Sequence, residues 1–226
     1  MGTAIVGAGG HGRVALECLE LAKGALNDVA FFDDGWEEIE SIEGIPTLGP
    51  IASLAQDDRF EDVFVAIGSN LARRRIMNEL ASVGKQMLKI VHPHTTISPR
   101  AILQEGVIAI AGTVVNRGAQ VGRGVILNTL CSVGHDCILR DFAQIAPGVS
   151  LGGAAIIGEG VFLGIGTKVV PEAQVGAWSV VGAGSVVLDD LPGGSLCHGV
   201  PARVIRHLRP DELPFDISLS TIDERR

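Results

Sequence analysis

Residues 121–157 read VGRGVILNTLCSVGHDCILRDFAQIAPGVSLGGAAII, and in this stretch an aliphatic residue stands at every sixth position. The same phase runs from residue 97 to residue 187 without an insertion. Its members are Ile97, Leu103, Ala109, Val115, Val121, Leu127, Val133, Leu139, Ile145, Leu151, Ile157, Leu163, Val169, Val175, Val181 and Val187. A period of six belongs neither to an α-helix, with about 3.6 residues per turn, nor to a plain strand, which alternates.

A second register, four positions after each aliphatic residue, contains only small residues. They are Ala119, Val125, Cys131, Cys137, Ala143, Val149, Ala155, Val161, Thr167, Ala173, Ser179 and Ser185. Together the registers predict a prism of short parallel strands in which each hexad forms one side. Three sides make one coil, residues 18 apart stack, and the coils share a narrow aliphatic core. The alternative is a β-sandwich that carries the pattern by chance.

The composition fits this core and excludes several classes of protein. Only 4% of the 226 residues are aromatic while 46% are hydrophobic, so the core is aliphatic. The formal net charge of −8 argues against nucleic acid and anionic membranes, which bind Lys and Arg clusters. We find no apolar run of membrane-spanning length, no basic signal-peptide region and no paired C-x-x-C motif. We therefore expect a cytoplasmic protein without a metal site.

The first 91 residues follow a different pattern, in which predicted strands (3–6, 29–32, 63–67 and 87–91) alternate with helices (13–23 and 71–83). This alternation predicts an α/β domain with a small parallel sheet and ligand groups at the carboxyl ends of its strands. Pro93 breaks regular structure between this domain, 1–91, and the β-helix domain, 95–206. Residues 207–226 form a polar tail.

A glycine-rich loop, GAGGHG at residues 7–12, follows the first predicted strand and opens a helix. Gly7, Gly9 and Gly12 satisfy the G-x-G-x-x-G pattern, and the acidic pair Asp33-Asp34 follows, as in an NAD site whose helix N-terminus faces a pyrophosphate. About 90 residues, however, hold only half of a two-lobed dinucleotide fold. We therefore favour a single nucleotide diphosphate, with NAD as the alternative.

The order of the two parts resembles the nucleotide-sugar N-acetyltransferases of the hexapeptide-repeat family, including the bacillosamine-pathway enzymes, and the sialic acid O-acetyltransferase group. The resemblance is carried by residues 7–12, 33–34, 67–70, 124–137 and 199–203. It implies a Rossmann-like nucleotide-sugar-binding domain and a left-handed parallel β-helix, the opposite of the usual hand of parallel crossovers. It also implies acetyl-CoA as cosubstrate and a homotrimer with its sites between subunits.

The resemblance also assigns binding residues. The nucleotide sugar is expected at Gly9, Gly10, His11, Asp33, Asp34, Gly68 and Asn128. CoA is expected at Gln144, Gly153, Ile165 and Ala183. This chain departs from the family twice, because Gln144 stands where relatives often carry a second His, and Ala183 stands where they carry Gly. Gln144 can donate a hydrogen bond to the thioester oxygen but cannot act as a base.

The predicted catalytic pair is His135 and Asp136. His135 follows the inward Val133 by two positions, so its side chain should point outward from the prism. Its imidazole suits a general base because the pKa of histidine lies near neutrality, and Asp136 would fix the tautomer. Gly153 lies 18 residues further on, so it should stack next to His135 and leave room for a thioester.

The sequence thus predicts an enzyme that acetylates the amine of a UDP- or GDP-linked amino sugar with acetyl-CoA, using His135 as general base. O-acetylation of a sugar hydroxyl, as in sialic acid, is the alternative with the same cosubstrate. A β-helix scaffold that only senses a nucleotide sugar, and an NAD-dependent dehydrogenase, are the remaining alternatives.

Overall fold

The computed structural model describes residues 2–24, 28–209 and Glu212, so most of the predicted tail, 207–226, lies outside the described residues. The elements of the α/β domain are β1 (Gly2–Val6), α1 (Gly10–Lys23), β2 (Val29–Phe32), β3 (Ser41–Ile42), β4 (Ile45–Pro46), a 3-10 helix (Ile51–Gln56), β5 (Phe60–Val65), α2 (Asn70–Ser82) and β6 (Gln86–Met87). One sheet has the order β2-β1-β5-β6 with all pairs parallel, which confirms the predicted parallel sheet.

The β-helix follows as a series of two-residue strands and ends in a hairpin. Its elements are β7 (Ile90–Val91), β8 (Thr96–Ile97), β9 (Ile102–Leu103), β10 (Ile108–Ala109), β11 (Val114–Val115), β12 (Gln120–Val121), β13 (Ile126–Leu127), β14 (Ser132–Val133), β15 (Ile138–Leu139), β16 (Gln144–Ile145), β17 (Ser150–Leu151), β18 (Ile156–Ile157), β19 (Phe162–Leu163), β20 (Lys168–Val169), β21 (Gln174–Val175), β22 (Val180–Val181), β23 (Val186–Val187), β24 (Ser195–Gly199) and β25 (Ala202–His207).

These strands form three faces. The first face has the order β25-β24-β22-β19-β16-β13-β10-β7, the second β23-β20-β17-β14-β11-β8, and the third β21-β18-β15-β12-β9. Partners lie 18 residues apart, as when Gln120 pairs with Ile102 and with Ile138. The predicted left-handed parallel β-helix is confirmed, with about six turns in the described part of the chain.

The interior of the prism contains both predicted registers. The aliphatic residues from Ala109 to Val187 and the small residues from Ala119 to Ala173 are buried, apart from minor exposure. Cys131 and Cys137 lie in this core as small apolar side chains, and burial raises the pKa of both thiols. Burial of narrow aliphatic side chains from every coil provides the driving force for this fold.

The predicted strand at 87–91 is wrong, because the chain changes sheets within it. The N–H of Leu88 donates to the carbonyl of Val63 in the α/β sheet, whereas the N–H of Ile90 donates to Val107 of the β-helix. Residues 92–94, predicted as a linker, therefore form the first corner of the prism. His92 is buried there and accepts the backbone N–H of His94 at Nδ1, 3.0 Å away.

The α/β domain packs on the first face of the prism. Ile5 and Leu16 share one apolar cluster with Ile108 and Ile126, which point outward from that face. α2 packs beside them on the corner between the third and first faces, where Met77 shares a second cluster with Phe142. In the parts of the chain that the structure describes, no helix is long and apolar enough to cross a bilayer.

Candidate active site

His135 and Asp136 lie at the corner between the second and third faces, directly after β14. The His135 Nδ1 atom is 2.9 Å from Asp136 Oδ2, and the two side chains are 71% and 68% exposed. Asp136 has a φ of 59°, in the left-handed region, which turns its carboxylate back toward the preceding ring. The imidazole thus points outward with Nδ1 against a carboxylate, and Nε2 has no hydrogen-bond partner among the described residues.

Two glycines make room for this pair. A Cβ added to Gly153 would lie 2.5 Å from Cε1 of His135, so the ring occupies the space of the missing side chain. A Cβ added to Gly118, one coil earlier, would collide with Oδ1 of Asp136. Sequence reasoning found Gly153 but missed Gly118, although the same spacing of 18 residues, counted back from Asp136, leads to it.

The predicted nucleotide-sugar residues of the α/β domain lie at one edge of its sheet. The loops after β1, β2 and β5 contain Gly9, Asp33-Asp34 and Gly68 respectively, and these strands are neighbours in the sheet. Gly10 and His11 follow Gly9 as the first residues of α1. Gly9, Gly10 and Gly68 would have open space around an added Cβ, so packing does not require glycine there. Gly12 differs, since its Cβ would collide with the carbonyl of Gly7.

The N-terminus of α1 faces this edge without a side-chain cap. Free N–H groups and the positive end of the helix dipole favour an anion at such a terminus. His11 stands in the first turn with its Nε2 atom buried, and that atom has no hydrogen-bond partner among the described residues. Burial and, to a lesser extent, the charge of Arg73 lower the pKa of His11 to about 4, so the ring is neutral at physiological pH.

Asp33 and Asp34 hold neighbouring loops of the α/β domain together by accepting backbone N–H groups. Asp33 accepts the backbone N–H of Ala8 at 2.8 Å through Oδ2 and that of Gly35 at 2.8 Å through Oδ1. Asp34 accepts the N–H of Ile51 at 3.0 Å, at the start of the 3-10 helix. Asp33 therefore ties the loop after β2 to the glycine loop, whatever ligand contacts it makes.

The predicted CoA residues are spread over two corners and one face. Ile165 and Ala183 stack on the corner between the first and second faces and are exposed; Ile165 is 61% exposed. Asn128 lies on the same corner and accepts the N–H of Thr129 through Oδ1 at 2.8 Å. Gln144 lies on the first face, and its buried Oε1 has no partner among the described residues.

The chain does not bring all of these residues together. The α/β domain packs against the first face at β7, β10 and β13, while His135 and Gly153 occupy the corner opposite that face. Gln144 shares the first face with the α/β domain, and Ile165 and Ala183 lie across the second face from His135. Within one chain, the α/β domain that carries the predicted nucleotide-sugar loops and the imidazole of His135 therefore lie on opposite sides of the prism.

Known sequence families match both parts of the chain. The PglD N-terminal domain matches residues 3–80, and the bacterial transferase hexapeptide (six repeats) matches residues 154–189. UDP-N-acetylbacillosamine N-acetyltransferase of Bacillus subtilis is 32% identical over 110 residues, which is 48% of this chain. The match spans about half of that relative's length, 50%.

Solved structures match nearly the whole chain. The acetyltransferase domain of PglB from Neisseria gonorrhoeae, in complex with acetyl coenzyme A, is 36% identical with a TM-score of 0.85, over 90% of this chain and 98% of that one. A variant of perosamine N-acetyltransferase from Caulobacter crescentus, in complex with CoA and GDP-perosamine, is 33% identical with a TM-score of 0.85, over 91% and 97%. The chain therefore belongs to the hexapeptide-repeat family of nucleotide-sugar N-acetyltransferases.

Proposed function

We propose that this protein transfers the acetyl group of acetyl-CoA to the amine of a UDP- or GDP-linked amino sugar, with His135 as general base. The observation that carries the proposal is the exposed His135–Asp136 pair, 2.9 Å apart, whose ring lies over the bare backbone of Gly153. The perosamine enzyme, which resembles this chain over nearly its full length, was solved with CoA and a GDP-linked amino sugar.

The chemistry assigns a separate role to each member of the pair. Asp136 accepts the Nδ1–H of His135, which leaves Nε2 unprotonated and pointing away from the carboxylate. The amine nitrogen attacks the thioester carbonyl and forms the C–N bond while Nε2 removes its proton. The C–S bond then breaks, the thiolate of CoA leaves, and the imidazolium returns the proton to the sulfur.

The loops of the α/β domain would hold the nucleotide sugar. Gly9 and Gly10 present uncapped N–H groups of α1, which suit a diphosphate. His11 is neutral and its Nε2 is available to a polar group of the ligand. Asp33 and Asp34 accept N–H donors, and both uracil and guanine offer them, so UDP and GDP stay equal candidates.

A homotrimer would complete the site. Because His135 lies at the corner opposite the face against which the α/β domain packs, a second copy must bring its prism corner to the nucleotide-sugar loops. Ile165 and Ala183, expected to contact CoA, flank the second face that would line such a groove between subunits. A closed ring of three such heterologous contacts satisfies every subunit.

The decisive experiment is thiol release from acetyl-CoA with UDP- and GDP-linked amino sugars and with matched hydroxyl sugars. We expect release with an amino sugar, and a decrease in kcat of at least about a hundredfold in His135→Ala. Near-normal turnover in that variant would remove His135 from the mechanism. Release with hydroxyl sugars alone would replace N-acetylation by O-acetylation.

A further inference from the structure

Arg73 is a buried cation in the first turn of α2, at the junction between the α/β domain and the prism. Only 1% of the residue is exposed. Its acceptors are the carbonyl oxygens of Gly124 (2.8 Å), Ile67 (2.8 Å), Gly68 (3.3 Å) and Phe142 (2.9 Å), and Oδ1 of Asn70 (2.8 Å). These five contacts match the five N–H groups of a guanidinium.

The guanidinium of Arg73 hydrogen-bonds both to the β-helix and to the loop after β5. Nε and one terminal nitrogen hold the carbonyls of Gly124 and Phe142, at equivalent positions in consecutive coils of the third–first corner. Asn70 extends this series to the next coil by donating to the carbonyl of Gly160 at 3.0 Å. The other terminal nitrogen of Arg73 holds the loop after β5. One side chain therefore connects a proposed nucleotide-sugar loop to the β-helix.

The packing of the α/β domain on the prism does not by itself explain why a buried charged residue, Arg73, stands at their junction. In the described residues the hydrogen-bond acceptors of Arg73 are all uncharged, and burial lowers the pKa of its guanidinium to about 9. Apolar contacts of Met77 with the same corner would join the domains without that desolvation, since buried charges seldom add net stability. The charge of Arg73 also helps to lower the pKa of His11, so its field reaches the glycine loop.

We infer that Arg73 is a positioning residue for the nucleotide sugar. Its guanidinium fixes the loop of Ile67 and Gly68 against the β-helix through hydrogen bonds to both carbonyls of that loop. The inference rests on the proposed function, because it assigns the role of a residue at the same site. Arg73 is fully enclosed and acts through the loop.

The test compares Arg73→Lys and Arg73→Gln with Arg74→Gln. Arg74 contacts the same corner, with its guanidinium 5.5 Å from the Trp178 ring and 3.2 Å from Glu159, but it does not hold the loop. We expect Arg73→Lys to raise KM for the nucleotide sugar at least about tenfold and Arg73→Gln to raise it further, with KM for acetyl-CoA within about twofold. Arg74→Gln should leave both constants within about twofold.

Either of two results would overturn the inference: Arg73→Lys raises both KM values equally, or it behaves like Arg74→Gln. Should the Arg73 variants fail to fold, Asn70→Ala removes one acceptor of Arg73 and the link to Gly160, and a smaller rise in the same KM is expected. An unchanged KM in that variant would also refute the inference.

A second readout separates this inference from the proposed function. Hydrogen exchange of the amides at 67–69 should be faster in Arg73→Lys than in Arg74→Gln, whatever substrate the protein uses. Faster exchange without acetyl transfer to any amino sugar would refute the proposed function alone. Equal exchange in the two variants would refute the positioning role alone.

Discussion

The imidazole of His135 lies over the backbone of Gly153, the residue at the equivalent position one coil later. A Cβ at Gly153 would lie 2.5 Å from Cε1 of His135, and the φ of Gly153 lies outside the left-handed region. Alanine therefore suits the backbone at 153 but not the space above it. A substitution at Gly153 can therefore displace the imidazole while His135 itself stays unchanged.

Gly153→Ala should push the imidazole away from its present position and lower kcat at least about tenfold, since small misplacements of a catalytic group are costly. Melting temperature should change little, because the ring is exposed and free to move. Gln174→Ala, on the exposed third face, is the matched control and should keep full activity. An unchanged kcat in Gly153→Ala would contradict the proposed approach of the thioester to Nε2.

Asp136→Asn tests the carboxylate separately from the backbone. Asp136 has a φ of 59°, and asparagine tolerates this conformation better than alanine does. We expect a fold close to the wild type and a kcat lower by roughly one to two orders of magnitude, because an amide does not stabilise the imidazolium. Asp136→Ala should add a loss of melting temperature from backbone strain. Full activity of Asp136→Asn would exclude an electrostatic role for the carboxylate.

The fold of the C-terminal part was predictable because the aliphatic residues recur at every sixth position of the sequence. Inward aliphatic and small residues recur without interruption, and the hydrophobic ones among them form one buried cluster. Several of the aliphatic residues are directly followed by glycine, and the spacing alone did not reveal why glycine is needed there. At Gly134, for example, an added Cβ would lie 2.8 Å from the backbone of Gly152 in the next coil.

A further period was present in the sequence but was missed. Every sixth residue from 106 to 184 has a positive φ and turns a corner of the prism. These residues are Gly106, Gly112, Gly118, Gly124, Leu130, Asp136, Phe142, Gly148, Ala154, Gly160, Gly166, Glu172, Trp178 and Gly184. Glycine dominates this phase because it adopts positive φ without strain, so the glycine spacing alone predicts the corners. It would also have shown that Asp136 stands in a strained position.

The junction of the domains was not predictable from local pattern. Arg73 and Asn70 stand in an exposed-looking polar segment of α2, and their partners Gly124, Phe142 and Gly160 lie far away in sequence. A helix pattern shows which side is polar, but it does not show that a polar side chain will bond corner carbonyls of another domain. Such contacts follow from tertiary packing alone.

His11 makes stability depend on pH. Its pKa is lowered from the ordinary 6.5 to about 4 in the folded protein, chiefly by burial. As the pH falls below about 6.5, the unfolded chain binds the proton first, so stability declines between pH 6.5 and 4 and this term is constant below pH 4. At 1.36 kcal/mol per pKa unit, the shift corresponds to at most roughly 3 to 4 kcal/mol of unfolding free energy.

Urea unfolding at pH 7 and at pH 4.5 measures this term. We expect His11→Gln to lose less stability between the two pH values than the wild type does, because the titrating group is gone. His207→Gln, at an exposed histidine, is the control and should follow the wild type. Equal losses in His11→Gln and the wild type would show that this histidine protonates alike in both states.

Leu130 combines two unfavourable features on the corner that also carries Ile165. It is 69% exposed and has a φ of 58°, a conformation that costs a leucine roughly 1 kcal/mol. Gly148, one coil later, occupies the same phase without a side chain. Burial of this side chain against a second subunit would offset the cost of its strained backbone.

Leu130→Asn removes the apolar surface and keeps a residue that tolerates positive φ. Sedimentation of the wild type should give three times the chain mass of 23.6 kDa, and the variant should dissociate at higher concentration than the wild type. Because the proposed site needs two subunits, the activity per chain of the Leu130→Asn variant should fall as the variant dissociates. Val83→Asn, which removes an exposed apolar side chain from the α/β domain, should leave both unchanged. A variant of Leu130 that melts higher and stays fully assembled would show that this side chain only strains its corner.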